Sequence, residues 1–267
     1  MLISEDFIKG DPFVMYLGDN LLNRGIGRFV EEFSREKPAA QILLARVPDP
    51  QMFGVAELAH GRVVRLVEKP KEPKSDLALV GVYMFSAEVF ASVKRIKPSF
   101  RNELEITDAI QDLIDRGLEV RPHIVEGWWK DTGKLEDMLE ANRLILDTME
   151  RKIEGTVDDA SRIEGKVVIA AGASVERSVV RGPVVIGAGA KISGAYIGPF
   201  TSIGDNVTLR ETEIEHSIVL EGATITDIAN RIEDSLIGRN VSIYRLPVRP
   251  SAYRLMLGDN SEVGIRW

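Results

Sequence analysis

The chain has 267 residues, 44% of them hydrophobic and 28% charged, a formal net charge of −7 and no cysteine. That length accommodates one large domain or two ordinary ones, with a full core. The acidic balance disfavours nucleic acid and anionic membrane as partners, and the missing cysteines exclude disulfides, zinc–thiolate sites and thiol nucleophiles.

Residues 1 to 9 carry Leu2, Ile3, Phe7 and Ile8 on one apolar face, the tail of a helix. They lack the basic and apolar regions of a signal peptide. No later apolar run reaches the length of a membrane span, so the expected setting is cytoplasmic. Phe13-Val14-Met15-Tyr16-Leu17 is apolar without alternation, which predicts a strand buried on both faces. Gly18-Asp19-Asn20 ends it in a turn. An acid at the carboxyl end of a buried parallel strand stands where open α/β sheets hold ligands. Asp19 is therefore a candidate metal or catalytic carboxylate; the alternative is a cap for a helix starting near Leu21. Leu21 to Arg35 has Leu22, Ile26, Phe29, Val30 and Phe33 at helical spacing, and Lys37-Pro38 stops it.

Ala40 to Val47 reads as a strand, and Phe53 to Leu58 with Val63 to Val67 as a hairpin. Leu77 to Phe85 is a further apolar strand and Ala87 to Arg95 a helix. Asn102 and Gly117 punctuate a helix carrying Ile106, Ile110, Leu113 and Ile114. Glu119 to Val125 is a strand leading to a second Gly/Asp turn, Trp128-Trp129-Lys130-Asp131-Thr132-Gly133. A long helix from Lys134 to Arg151 closes this part. Strands alternating with helices predict a mainly parallel sheet covered on both faces.

Near Glu154 helical periodicity gives way to a repeat. Ile169, Ile186, Ile203, Leu220 and Ile237 are spaced by 17 residues, as are Val175, Ile192 and Leu209, and Val180, Ile197 and Ile214. The intervals of six, six and five describe three apolar corners per coil, a triangular parallel β-helix of hexapeptide repeats. Gly172, Gly189, Asn206 and Asn240 fall on the same lattice and predict one recurring turn position with φ > 0. The repeat blurs between Asp227 and Glu233, where a bulge is expected, and Leu246 to Trp267 leaves it as a closing cap. Flat faces and open ends of stacked coils predict a homo-oligomer.

Six segments in order, Leu17-Gly18-Asp19-Asn20, Phe53-Gly54-Val55, Glu68-Lys69-Pro70, Gly81-Val82-Tyr83, Glu103-Leu104-Glu105-Ile106-Thr107-Asp108 and Trp129-Lys130-Asp131-Thr132-Gly133, resemble the sugar-1-phosphate nucleotidyltransferases. The pattern is most similar to the long form of the glucose-1-phosphate thymidylyltransferases, with a C-terminal left-handed β-helix. The resemblance implies an α/β domain, a partial Rossmann-like nucleotidyltransferase domain in residues 1–153, followed by the left-handed parallel β-helix and cap in residues 154–267. It implies that Asp19 and Asp131 hold Mg²⁺, that Lys69 binds the sugar phosphate, and that Glu68 and Glu103 accept hydrogen bonds from sugar hydroxyls. Gly54 would let backbone approach the sugar, or mark a strand bulge. Tyr83 and Trp129 line the pocket or serve as core aromatics. The expected partners are a sugar 1-phosphate and a nucleoside triphosphate, dTTP with UTP as the nearest variant.

Asn102 and Lys130 depart from the family pattern, which has Gly and Leu there. The family's Gly-Gly-x-Gly-Thr-Arg-Leu loop, its reaction-centre basic residue and its base pocket have no counterpart in residues 1 to 12. The expectation is thus the C-terminal part of a nucleotidyltransferase domain, inactive in nucleotidyl transfer by itself. Two rival readings concern the β-helix: acyl transfer with His216 as general base, or a non-catalytic assembly or regulatory module.

Overall fold

All nine residues of Leu77–Phe85 are buried, and this run, not Phe13 to Leu17, is the central strand of the first unit. The structure is a computed structural model that describes residues 1–245; the cap expected from Leu246 to Trp267 lies outside the described residues. The chain divides into two compact units, Met1–Met138 and Leu139–Trp267.

The first unit begins with a 3-10 turn, Leu2–Ser4, and the short helix α1 (Glu5–Ile8). There follow β1 (Phe13–Tyr16), β2 (Asn20–Leu22), α2 (Gly27–Glu36), β3 (Ala40–Arg46), β4 (Gly54–Ala59), β5 (Arg62–Glu68) and β6 (Leu77–Phe85). Helices α3 (Glu88–Val93) and α4 (Ile106–Asp115), strands β7 (Val120–Ile124) and β8 (Trp129–Asp131), and helix α5 (Leu135–Thr148) complete the series. Six strands form one sheet in the order β5-β4-β6-β3-β7, with β1 also on β6, and β2 pairs β8 apart from it.

The expected mainly parallel sheet is not found. Only β3 and β7 run parallel; β1, β3 and β4 all meet β6 antiparallel, and β4 meets β5 antiparallel. A parallel neighbour needs a long crossover, and β7 is the strand reached through two helices. Strand β1 is not buried on both faces either. Its one partner among the described residues is β6, so Phe13 and Met15 turn to the core while Val14, Tyr16 and Leu17 stay exposed. Nor does the N-terminal apolar face pack as one surface: Ile8 reaches the core, but Leu2, Ile3 and Phe7 are exposed.

Two apolar layers hold the sheet. On one face Phe29 and Phe33 of α2 pack on Leu43, Val80, Val82 and Met84. On the other, Val89 and Phe90 of α3 and Ile110 and Leu113 of α4 cover Ile42, Leu44, Tyr83 and Phe85. Each such side chain contributes about 1.5–3 kcal/mol when fully buried. Helix α2 begins at Gly27, not Leu21, because Leu21 and Leu22 are drawn into the β2–β8 pair. Helix α4 is preceded by Glu105, not Asn102, as its cap residue. Asn102 sits in the loop before it at φ +61°. That is a conformation suited to Gly and tolerated by Asn, which explains the exchange at this place in the family pattern.

The second unit is a parallel β-solenoid of about five coils. One strand of each coil joins a six-stranded sheet, and the remaining strands form a nine-stranded sheet that turns the other corners. Ile169, Ile186 and Ile203 stack in register. The fourth member of this stack is Val219, not Leu220, which is 38% exposed. Six residues separate Ile197 from Ile203, but only five separate Ile214 from Val219, so one coil is a residue short at this corner. Register is recovered across the strand Thr224–Ile232, where the pairing shifts and Ile237 rejoins the stack below Val219. The expected irregularity near Asp227 is the place where this happens. Gly172, Gly189, Asn206, Gly222 and Asn240 all have φ between +56° and +79°, one recurring left-handed corner, and a second recurs at Arg177, Gly194, Glu211 and Asp227.

The last turns of α5 belong to this unit. Asn142 donates its amide N–H to the Phe200 carbonyl (2.9 Å) and accepts from the Ser202 hydroxyl, and Lys166 Nζ donates to the Asp147 carbonyl (2.7 Å).

Candidate active site

The two Gly/Asp turns, far apart in the chain, meet through the β2–β8 pair. Asn20 is the cross-strand partner of Asp131. The Thr132 backbone N–H and hydroxyl both donate to the Asp19 carbonyl, at 2.7 and 2.9 Å. Asp19 is exposed on its turn, and Asp131 is half-buried with Oδ1 accepting the Gly133 N–H at 2.9 Å. Because α2 starts only at Gly27, Asp19 caps no helix there. Lys130, where the family pattern has Leu, turns to an ion pair with Asp137 at 2.8 Å.

Asn20 ties this corner to the sheet. Its side chain accepts from the Gly81 N–H (2.9 Å) and the Trp129 indole N–H (2.7 Å) and donates to Asp19 Oδ1 (2.8 Å). Trp129 also stands edge-on to Phe53, 5.3 Å between ring centroids. Tyr83 is buried, stacked on Phe85, and feels the negative charges of both Glu68 and Asp19. Burial first, and then those two carboxylates, push its hydroxyl well above the usual tyrosine range.

Glu68 ends β5 beside Gly54, its antiparallel partner on β4. A Cβ on Gly54 would lie 2.7 Å from Thr107 Cγ2 and 3.0 Å from Glu68 Oε2. The close approach that demands glycine here is thus made by the protein's own side chains. Lys69 follows at φ +40°, its backbone N–H donating to the Phe53 carbonyl (3.0 Å) and its side chain exposed. Arg101 stands among three acids: Glu68 at 3.7 Å, Glu103 at 3.0 Å and Glu105 at 3.4 Å. Ser99 donates its hydroxyl to Glu105 at 2.8 Å.

Burial pushes the Glu68 carboxyl up, the Glu105 charge adds to this, and Lys69, Arg101 and the Thr107 hydroxyl oppose it. Asp108 is raised by the same two causes, burial and Glu105. Glu68, Ser99, Phe100, Glu105 and Asp108 line a cleft of about 430 Å³. A second cleft of about 470 Å³ opens at the carboxyl ends of β3 and β7 between Arg46, Pro48, Trp128 and Trp129.

Among the described residues no three His, Asp or Glu side chains converge as a ready cation cage. Asp19 and Asp131 are the carboxylates carried by the two joined turns. Such a pair suits Mg²⁺, which takes one or two carboxylates and fills its other positions with water and substrate phosphates. Arg101, Glu105, Thr107 and Asn20 carry much of the geometry, yet the sequence reading assigned them no role. Arg101 sits in a loop without periodicity, and Asn20 was visible only as part of a motif. His216, the base required by an acyl-transfer reading, occupies a solenoid corner, its Nδ1 against the Asp234 carboxylate and its ring edge-on to Phe200.

Residues 1–148 match the nucleotidyl transferase family. The chain is 52% identical over 268 residues to a glucose-1-phosphate thymidylyltransferase of Streptomyces antibioticus, an alignment covering all of this chain and 75% of that protein. It is 47% identical over 264 residues to a low-salt glycan biosynthesis nucleotidyltransferase of Haloferax volcanii, covering 97% of this chain and 74% of the relative. A crystal structure from Bacillus anthracis, assigned as a glucose-1-phosphate thymidylyltransferase and holding sucrose, superposes with a TM-score of 0.51 at 40% identity. That superposition covers 57% of this chain and 61% of the other. The chain therefore spans about three quarters of these two relatives, and with residues 1–148 inside the family pattern it belongs to the nucleotidyl transferase family.

Proposed function

We propose that the first unit is a sugar-1-phosphate nucleotidyl transfer site, with glucose 1-phosphate and dTTP as the substrate pair and dTDP-glucose and pyrophosphate as products. The observation that carries this reading is the β2–β8 register, which sets Asp131 across from the residue after Asp19. In this reading Asp19 and Asp131 hold Mg²⁺, which when bound neutralises phosphate charge. Lys69 supplies a mobile point charge for the sugar phosphate. Glu68 and Glu103 accept from sugar hydroxyls, Gly54 makes room for Glu68 and Thr107 to stand at the site, and Tyr83 and Trp129 form the wall. A phosphate oxygen of the sugar 1-phosphate attacks the α-phosphorus in line, the bond to the pyrophosphate leaving group breaks, and no protein nucleophile takes part. The protein's share is positioning and charge.

Calorimetric titration with glucose 1-phosphate in Mg²⁺ tests the sugar-phosphate half without requiring turnover. The parent protein binds; Lys69→Ala weakens binding by about tenfold or more, the loss of a charge-assisted contact. Absence of any binding by the folded parent protein would sink the reading. Among the described residues no helix is long and apolar enough to cross a membrane. The same reading includes a cytoplasmic setting and self-association through the solenoid, for which light scattering at high micromolar concentration is the check.

A further inference from the structure

Asn20 is only 3% exposed, yet it directly follows an exposed carboxylate. A buried side-chain amide is costly unless its hydrogen bonds are met. Here both ends are. Two N–H donors, the Gly81 backbone and the Trp129 indole, point at Oδ1, which leaves Nδ2 for Asp19 Oδ1. The opposite orientation would set an NH₂ group against two N–H donors and a carbonyl against a carboxylate. The amide is thus locked in one sense. There is no slack on the β6 side: a Cβ on Gly81 would lie 2.5 Å from Asn20 Nδ2 and 2.8 Å from its Cγ. The Tyr16 hydroxyl, donating to the Asn20 carbonyl at 3.0 Å, secures the backbone as well.

The consequence falls on Asp19. A carboxylate on an exposed turn samples several rotamers, and each cation contact it makes must first offset that freedom. Pinning Oδ1 to a buried amide removes the freedom and leaves the other oxygen for a ligand. We propose that Asn20 is a positioning residue for the Asp19 carboxylate, held by Gly81 and Trp129, and that divalent cation affinity depends on this clamp. The inference rests on the reading of Asp19 and Asp131 as cation ligands.

The test is titration of the whole chain with Mn²⁺, followed by loss of the free-ion electron paramagnetic resonance signal, with thermal melting of every variant. Asn20→Ala is expected to bind Mn²⁺ about 10- to 100-fold more weakly, the usual cost of losing a group that orients a ligand. Gly81→Ala, which keeps Asn20 but displaces its amide, and Trp129→Phe, which removes the indole donor while keeping an aromatic ring, weaken binding in the same direction. A core change on the other face of the sheet, Leu113→Ala on α4, lowers the melting temperature and leaves affinity unchanged, which separates positioning from general loss of stability. Asp19→Asn is the reference and abolishes binding.

If Asp19→Asn abolishes binding while Asn20→Ala, Gly81→Ala and Trp129→Phe bind as the parent does, the clamp is overturned and the cation reading stands. If the parent fails to bind, or Asp19→Asn binds normally, the cation reading falls and the clamp with it. Should Asn20→Ala or Gly81→Ala fail to fold, Trp129→Phe decides.

Discussion

Ile186 of the solenoid touches Ile169 in the coil on one side and Ile203 in the coil on the other, at the same position of the repeat. Asn20 of the α/β unit finds its partners at Gly81 and Trp129, on two strands far along the chain. The contrast is one of range. In the solenoid each layer is stabilised by its nearest neighbours, so stability accumulates coil by coil and a one-residue slip at one corner can be made good further along. In the α/β unit the candidate site exists only once β2 has paired β8 and β6 lies beside them. Nothing nearby in the chain can substitute for a lost partner, so that unit tolerates error least where its chemistry is.

The sharpest attack on the solenoid side is a charge in the stack. Val219→Asp is expected to cost more than about 4 kcal/mol and unfold the module, since a buried charge without a partner is among the largest single-residue effects. Leu220→Asp, one residue along and outward, stays within about 0.5 kcal/mol. Urea unfolding of the two variants decides between them, and equal losses would refute the displaced stack.

Next in size is Leu44→Ala on β3, fully buried in the first unit, at about 2–5 kcal/mol. Hydrogen exchange should show faster amides in residues 1–138 with the solenoid still protected. Simultaneous loss of protection in both units would break the picture of separately held order. Gly54→Ala comes third. Its Cβ presses on Thr107 and Glu68, an overpacking of about 1–3 kcal/mol by the melting curve.

The smallest effect concerns Glu68. Its carboxyl is raised mainly by burial, so the folded protein binds this proton more tightly than the unfolded chain. Stability contributed by the group therefore falls as pH rises through the carboxylate range, and the ionised form is disfavoured at neutral pH. Glu68→Gln should melt slightly higher than the parent at pH 7, with the gain shrinking as pH is lowered past the shifted pKa. A variant less stable than the parent at pH 7 would show that Arg101 and Lys69 outweigh burial.

Amino-acid order alone determined what repeats and what is locally punctuated. The 17-residue lattice specified a solenoid because each coil's inward residues recur at fixed intervals and Gly or Asn recurs where the backbone must turn left-handed. The hairpin of β4 and β5, the end of α4 at Gly117 and the ordered family segments were legible for the same reason, each being a short-range pattern. Tertiary structure decided the rest. The apolar run Phe13 to Leu17 resembles a central strand, but apolarity cannot say how many neighbours a strand will have, and with β6 as its one partner among the described residues half its side chains face outward. Leu21 and Leu22 carry helical spacing, yet pairing with Trp129 and Lys130 overrides it. Leu220 fits the lattice by count, while a corner one residue shorter puts Val219 in its place. Asn20, Arg101 and Glu105 gain their roles only from partners on other elements. A hydrogen bond or ion pair between distant residues leaves no period in the sequence, so it becomes visible only when the chain has folded.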